Sequence, residues 1–185
     1  KLNELTIKEA REGLRTKKFS SVELTKACLE QIKKHNPSLN VFITVCKKEA
    51  LGNAKKADEQ LNNGTIAQLN NCPLLGIPIA LKDLFSTKDI KTTAGSNVLK
   101  KYSPQYDATV VKKLKDAGAV IVVKTNLDAW AHGSSGENSD FGPTKNPWNS
   151  EYVPGGSSSG SAVSVASDMC LAATGTDTGG SIRLP

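Results

Sequence analysis

Two glycine-flanked serine clusters lie near the end of the chain and bracket an apolar run. They read Gly155-Gly156-Ser157-Ser158-Ser159-Gly160-Ser161-Ala162 and Gly175-Thr176-Asp177-Thr178-Gly179-Gly180-Ser181-Ile182-Arg183-Leu184-Pro185. No other feature restricts the chain as much. Backbone poor in Cβ atoms can turn so that consecutive N–H groups converge on one spot, and fixed donors of that kind stabilise charge on an attacked carbonyl oxygen. Ser181 follows two glycines in this setting and is the leading nucleophile candidate. A serine-glycine linker is the bland alternative for the first cluster, but a linker is not followed at once by an apolar helix. For the second cluster the alternative is a phosphate loop, which here lacks the Gly-Lys-Ser or Gly-Lys-Thr of a nucleotide site.

A serine nucleophile needs a base. The two histidines are His35, in a lysine-rich polar stretch, and His132, so a Ser-His-Asp constellation has little to draw on. Lysine is the other option. Gly76-Ile77-Pro78-Ile79-Ala80-Leu81-Lys82-Asp83 sets Lys82 at the end of a strand-like apolar run, where desolvation favours a neutral amine able to take a proton. Pairing a catalytic serine with a lysine is a known variant of triad logic. Standing alone, Lys82 would read as an exposed strand-end lysine.

Hydrophobic periodicity divides the chain into a helical lead-in, residues 1–64, and an α/β core, residues 73–185. In the lead-in, Thr6 precedes a helix from Ile7 to Arg15, and Ser20 with Glu23 forms a capping box ahead of a stripe at Leu24, Ala27, Cys28, Gln31 and Ile32. The spacing predicts that His35-Asn36-Pro37 stops this helix. Asn40 to Val45 reads as a short strand, and Lys47 to Leu61 as a helix closed by Asn63-Gly64. In the core, a strand from Leu75 to Leu81 leads to a helix from Ala108 to Ala117, capped by Asp107 and ended by Gly118. A continuous apolar strand follows from Ala119 to Lys124. A helix from Ala162 to Met169 then feeds a strand from Cys170 to Thr174, whose carboxyl end delivers the Thr178 to Ser181 loop. The alternation predicts an α/β fold with a mixed sheet covered by helices on both faces.

The GGSSSGSA, DTGGSIRLP and GIPIALKD segments resemble those of the amidase signature family, whose members hydrolyse amides with a Ser, cis-Ser, Lys triad. The spacing is similar too, with 75 residues from Lys82 to Ser157 and 24 from Ser157 to Ser181. Position by position, the resemblance implies Ser181 as nucleophile, Ser157 as a relay serine on a cis peptide, Lys82 as base, and the N–H groups of Thr178, Gly179, Gly180 and Ser181 as oxyanion donors. It offers His132, Gly133, Ser134 and Ser158 as candidates for the substrate pocket. Within the family, the Gly133-Ser134-Ser135-Gly136-Glu137-Asn138-Ser139 and Gly142-Pro143-Thr144-Lys145-Asn146-Pro147-Trp148 strings look most like the A subunits of glutamine-dependent amidotransferases acting on Glu-tRNA(Gln) or Asp-tRNA(Asn). His132 and Gly136 depart from that branch, where methionine and threonine are expected.

That branch implies glutamine as amide donor, partner B and C subunits, and misacylated tRNA reached through the complex. ATP and Mg²⁺ are implied in the B subunit; this chain carries neither a nucleotide loop nor a metal-ligand cluster, so no cofactor or metal is expected in it. A stand-alone amidase for small carboxylic amides is the main rival. The chain starts at Lys1 and stops at Pro185, just past Ser181, and family members are longer. The expectation is therefore the N-terminal part of a single amidase signature domain, with a catalytically silent truncated form as a further alternative. An apolar edge strand left uncovered would keep such a part from folding stably alone.

Net charge of +6 raises the question of a nucleic-acid surface. Arginine occurs only at Arg11, Arg15 and Arg183, so the charge is nearly all lysine and lacks the forked donors that grip phosphate. Cys28, Cys46, Cys72 and Cys170 are widely scattered and suggest neither a zinc site nor a disulfide framework. No apolar run is long enough to span a bilayer. A reducing, cytoplasmic setting is expected, with a mitochondrion or plastid as the alternative.

Overall fold

Two capping boxes start the chain's helices. Thr6 Oγ1 accepts the Glu9 N–H at 3.2 Å and Ser20 Oγ the Glu23 N–H at 3.1 Å, while each glutamate returns a bond to the cap backbone. In the computed structural model, which describes residues 1–64 and 71–185, they open α1 (Ile7–Arg15) and α2 (Ser21–Leu39). The other α-helices and strands of the described residues are β1 (Phe42–Val45), α3 (Lys47–Asn63), β2 (Pro78–Lys82), α4 (Thr109–Asp116), β3 (Val120–Thr125), α5 (Ser159–Ala166) and β4 (Ala172–Ala173).

The strands form one mixed sheet in the order β1-β3-β2-β4, with β2 parallel to both neighbours and β1 antiparallel to β3. The lead-in thus contributes an edge strand to the core sheet. Every residue of β2 and β3 is buried, as strands covered on both faces require. On one face Ala80, Val120, Val122 and Val123 pack with Ile32, Ala50, Ala54 and Val163 of α2, α3 and α5. On the other, Ile79, Leu81 and Ile121 pack with Ala10, Leu14, Leu24 and Val111 of α1, α2 and α4. Each fully buried aliphatic side chain contributes about 1.5–3 kcal/mol.

Several boundaries differ from those read in the sequence. Pro37 lies inside α2, which runs on to Leu39 because Asn36 and Asn40 finish it together. Asn36 Oδ1 accepts the N–H groups of Val41 and Phe42, both at 2.8 Å, and Asn40 takes the left-handed conformation at φ 50°. Asp107 does not cap α4. Its carboxylate is taken by the Lys88 N–H at 2.8 Å and by Lys115 Nζ at 2.7 Å, leaving Ala108 as an uncapped start.

Helix α5 begins at Ser159, earlier than its apolar run suggests. Gly160 lets it cross close to the ends of β1 and β3: a Cβ there would lie 2.5 Å from Val41 O and 2.7 Å from Asn126 N. At its far end Ser164 O accepts the Met169 N–H, so the last residues of the expected helix wrap around its terminus. Strand β4 is only two residues long. Beyond it the Thr174 hydroxyl, in place of a backbone carbonyl, takes the Lys82 N–H at 2.9 Å and ends the ladder.

Candidate active site

Strand alternation decides where the two charged residues at the end of β2 go. Asp83 lies on the α1 side, where its Oδ1 stands 3.0 Å from Lys124 Nζ and its Oδ2 accepts the N–H and hydroxyl of Thr93 at 2.8 and 2.6 Å. Both members of this ion pair are fully buried. Lys82 points the other way, toward the start of α5.

Lys82 is also wholly buried, and its ammonium meets hydroxyls alone. Nζ donates to Ser157 Oγ at 2.8 Å, Ser158 Oγ at 2.9 Å and Thr176 Oγ1 at 2.8 Å. Burial pushes the Lys82 amine down to about 8, against the opposing pull of the Asp128 and Asp177 carboxylates. Ser158 is the N-cap of α5, so the positive end of that helix acts in the same direction. A lysine held this way loses its proton readily, and its free lone pair then faces the hydroxyl of Ser157.

The peptide bond between Gly156 and Ser157 is cis. Ser158 ties this turn to the second cluster: its N–H donates to Ser181 O at 3.1 Å and its hydroxyl to Thr176 O at 3.2 Å. The loop carrying Ser181 is organised by Asp177. Its carboxylate accepts the N–H groups of Gly180 and Ile182, each at 2.9 Å, and a fork from Arg183 with Nη2 at 2.8 Å and Nε at 3.1 Å. Arg183 first, then the Ile182 N–H, holds the Asp177 carboxyl well below the usual range. Arg183 therefore serves the loop.

Of the four expected oxyanion donors, Gly180 already gives its N–H to Asp177. Those of Thr178, Gly179 and Ser181 meet no acceptor among the described residues, nor does the Ser181 hydroxyl. The structure thus brings Lys82, Ser157 and Ser158 into direct contact and joins Ser181 to them through its backbone. Thr176, the third hydroxyl on Lys82, was not singled out from the sequence, although it lies two residues past the apolar strand.

His132, Gly133 and Ser134 lie on an exposed loop and share no hydrogen bond with the lysine cluster. Trp130 and Ala131 both adopt left-handed backbone, at φ 60° and 61°, and His132 O accepts Asn138 Nδ2 at 2.6 Å. Gly136 has φ +83°, and a Cβ there would lie 2.7 Å from Ser159 Cβ and 3.0 Å from Gly155 O. The glycine found where the resemblance leads one to expect threonine is therefore the residue this backbone admits. A surface groove of about 730 Å³ between α1 and the turn at Leu75 holds none of these residues.

Among the described residues, no three His, Cys, Asp or Glu side chains converge as metal ligands would. The four cysteines are free, and among the described residues no helix is long and apolar enough to cross a membrane.

Comparison with known proteins puts this chain, with its buried lysine against serine hydroxyls on an α/β sheet, in the amidase class. The Amidase family model matches residues 23–185, and the chain belongs to that family. It is 54% identical over 184 residues to the glutamyl-tRNA(Gln) amidotransferase A subunit of Desulfatibacillum aliphaticivorans, and 53% identical to that of Coxiella burnetii. All of the chain is covered in both cases, but it spans only 37% of the length of these relatives. Among solved structures, the Thermotoga maritima A subunit of the same enzyme matches with a TM-score of 0.75 at 40% identity, covering 100% of this chain and 36% of that one. The peptide amidase of Stenotrophomonas maltophilia matches with a TM-score of 0.80 at 35% identity, covering 89% of this chain and 34% of its own.

Proposed function

We propose that the protein hydrolyses the side-chain amide of glutamine and supplies the ammonia for transamidation of misacylated Glu-tRNA(Gln) or Asp-tRNA(Asn). The observation that carries this reading is the buried Lys82 Nζ, set among the hydroxyls of Ser157, Ser158 and Thr176 and lowered toward neutrality. The similarity to amidotransferase A subunits supplies the substrate.

In this reading neutral Lys82 takes a proton from Ser157, and Ser157 takes one from Ser181. Ser181 Oγ then attacks the amide carbon, and loop N–H groups from Thr178 to Ser181 hold the oxyanion. Collapse expels ammonia, which receives the proton back through the same hydroxyl chain. Water, activated by Lys82 through Ser157, releases glutamate from the acyl-enzyme. Gly180 joins the oxyanion donors only when Asp177 releases its N–H, so substrate binding rearranges that contact. The partners are B and C subunits; ATP and Mg²⁺ belong to the B subunit, which activates the acyl group on tRNA.

A second reading, a stand-alone amidase, draws on the likeness to the peptide amidase. The test follows ammonia release by the native full-length protein with its co-purified partners. Release from glutamine that rises with ATP and misacylated tRNA supports the amidotransferase. Release from varied simple amides by the lone protein, indifferent to partners and tRNA, supports the other reading.

A further inference from the structure

We propose that Asp128 is a positioning residue of the reaction, clamping the loop of residues 132–138 onto the Gly156–Ser157 turn so that the loop and the hydroxyl facing Lys82 form one rigid body. This rests on the function proposed above. Asp128 lies just past the end of β3 and is completely buried. Its Oδ2 accepts the Gly136 N–H at 3.1 Å and its Oδ1 the Asn138 N–H at 3.2 Å, while its own N–H donates to Ser157 O at 3.2 Å. One residue thus holds both parts.

Three glycines enclose this carboxylate. A Cβ at Gly133 would lie 2.5 Å from Asp128 Cγ, a Cβ at Gly156 would collide with Oδ2, and Gly136 supplies one of the two N–H donors. Among the described residues no Lys or Arg comes within ion-pair distance of it. A buried carboxylate served only by two backbone N–H groups is expensive to maintain for packing alone. Its charge reaches Lys82. Of the groups facing Lys82, Asp128 comes from the end of β3 and Asp177 from the loop after β4. Asp177 is already paired with Arg183, and Asp83, next in sequence, is paired with Lys124 on the other face of the sheet. His132 and Glu137, on the clamped loop, are exposed.

The clamp places a negative charge that favours the protonated form of Lys82. Taking it away lowers the pH at which Lys82 becomes neutral, so the acid side of the pH profile moves down. The experiment measures Ser181-dependent ammonia release from glutamine across pH for the full-length protein and Asp128→Asn. An amide keeps the shape but has one acceptor oxygen, so it holds one N–H and loses the other. The expected result is kcat reduced about 10-fold or more, from lost positioning, with the acid limb displaced downward by about half a pH unit. Asp128→Glu, which restores the charge in poorer geometry, is expected to lower kcat and return the limb to its original place.

An unmoved limb in Asp128→Asn overturns the proposal whatever happens to kcat, since a merely structural residue would lower activity without displacing it. Should Asp128→Asn fail to fold, the smaller, uncharged Asp128→Ser reads the same limb. Release by the unaltered enzyme that persists in Ser181→Ala would instead overturn the functional reading, and this inference with it.

Discussion

Lys82 Nζ stands 2.8 Å from Ser157 Oγ with no carboxylate bonded to it, whereas Lys124, one register position away on the neighbouring strand, is ion-paired to Asp83 at 3.0 Å. Two fully buried lysines side by side in one sheet therefore have opposite surroundings. The unpaired one faces the serines.

The pH dependence of acylation follows from that difference. Lys82 acts as base only when neutral, and its folded-state value is lowered to about 8. Activity should therefore rise with pH through an acid limb near 8, as the proton leaves. A pH series of kcat/KM for ammonia release checks this, and a limb in the ordinary lysine range would count against it.

Lys82→Met should separate catalysis from stability. Burying an ammonium among neutral hydroxyls stabilises little, so the methionine variant should keep or raise the thermal midpoint. Ammonia release should fall about 10²–10⁴-fold, the usual contribution of a positioned acid-base group. Calorimetry beside initial rates distinguishes the two effects.

Lys124→Met should do the reverse. It strands the buried Asp83 carboxylate, whose Oδ1 has no hydrogen-bond partner to replace the Lys124 ion pair. Losing one member of a buried ion pair costs about 3–5 kcal/mol. Urea unfolding of the full-length protein should show that loss, and a midpoint equal to the unaltered protein would refute it.

Gly160→Ala tests the close approach of α5 to the β1 and β3 ends. The new methyl meets Val41 O at 2.5 Å and the Asn126 backbone at 2.7 Å, contacts that rigid main chain cannot relieve. Overpacking of this kind costs about 1–3 kcal/mol. The same unfolding measurement reads it, and a neutral outcome would show that the helix can shift.

Much of this was legible in the sequence because it rests on local chemistry. The capping box at Ser20 starts its helix, and the apolar run Val120 to Val123 is buried because none of its side chains suits water. The family resemblance joined Lys82 to Ser157 but offered Ser158 only for the substrate pocket, whereas both hydroxyls take a bond from Lys82 Nζ. What stayed hidden depends on contacts distant in sequence. Asn36 and Asn40 carry α2 past Pro37, Lys88 and Lys115 draw Asp107 away from capping, and the Thr174 side chain cuts β4 short. Asp128 carries no local signal, since its role comes from glycines that fold around it.

The measurement that bears most directly on the central claim is an acid quench of the native full-length protein during glutamine turnover, followed by peptide mapping by mass spectrometry. The account predicts a glutamyl ester on the peptide bearing Ser181, absent from Ser181→Ala and much reduced in Lys82→Met. An ester on another residue, or undiminished turnover by Ser181→Ala, would contradict it.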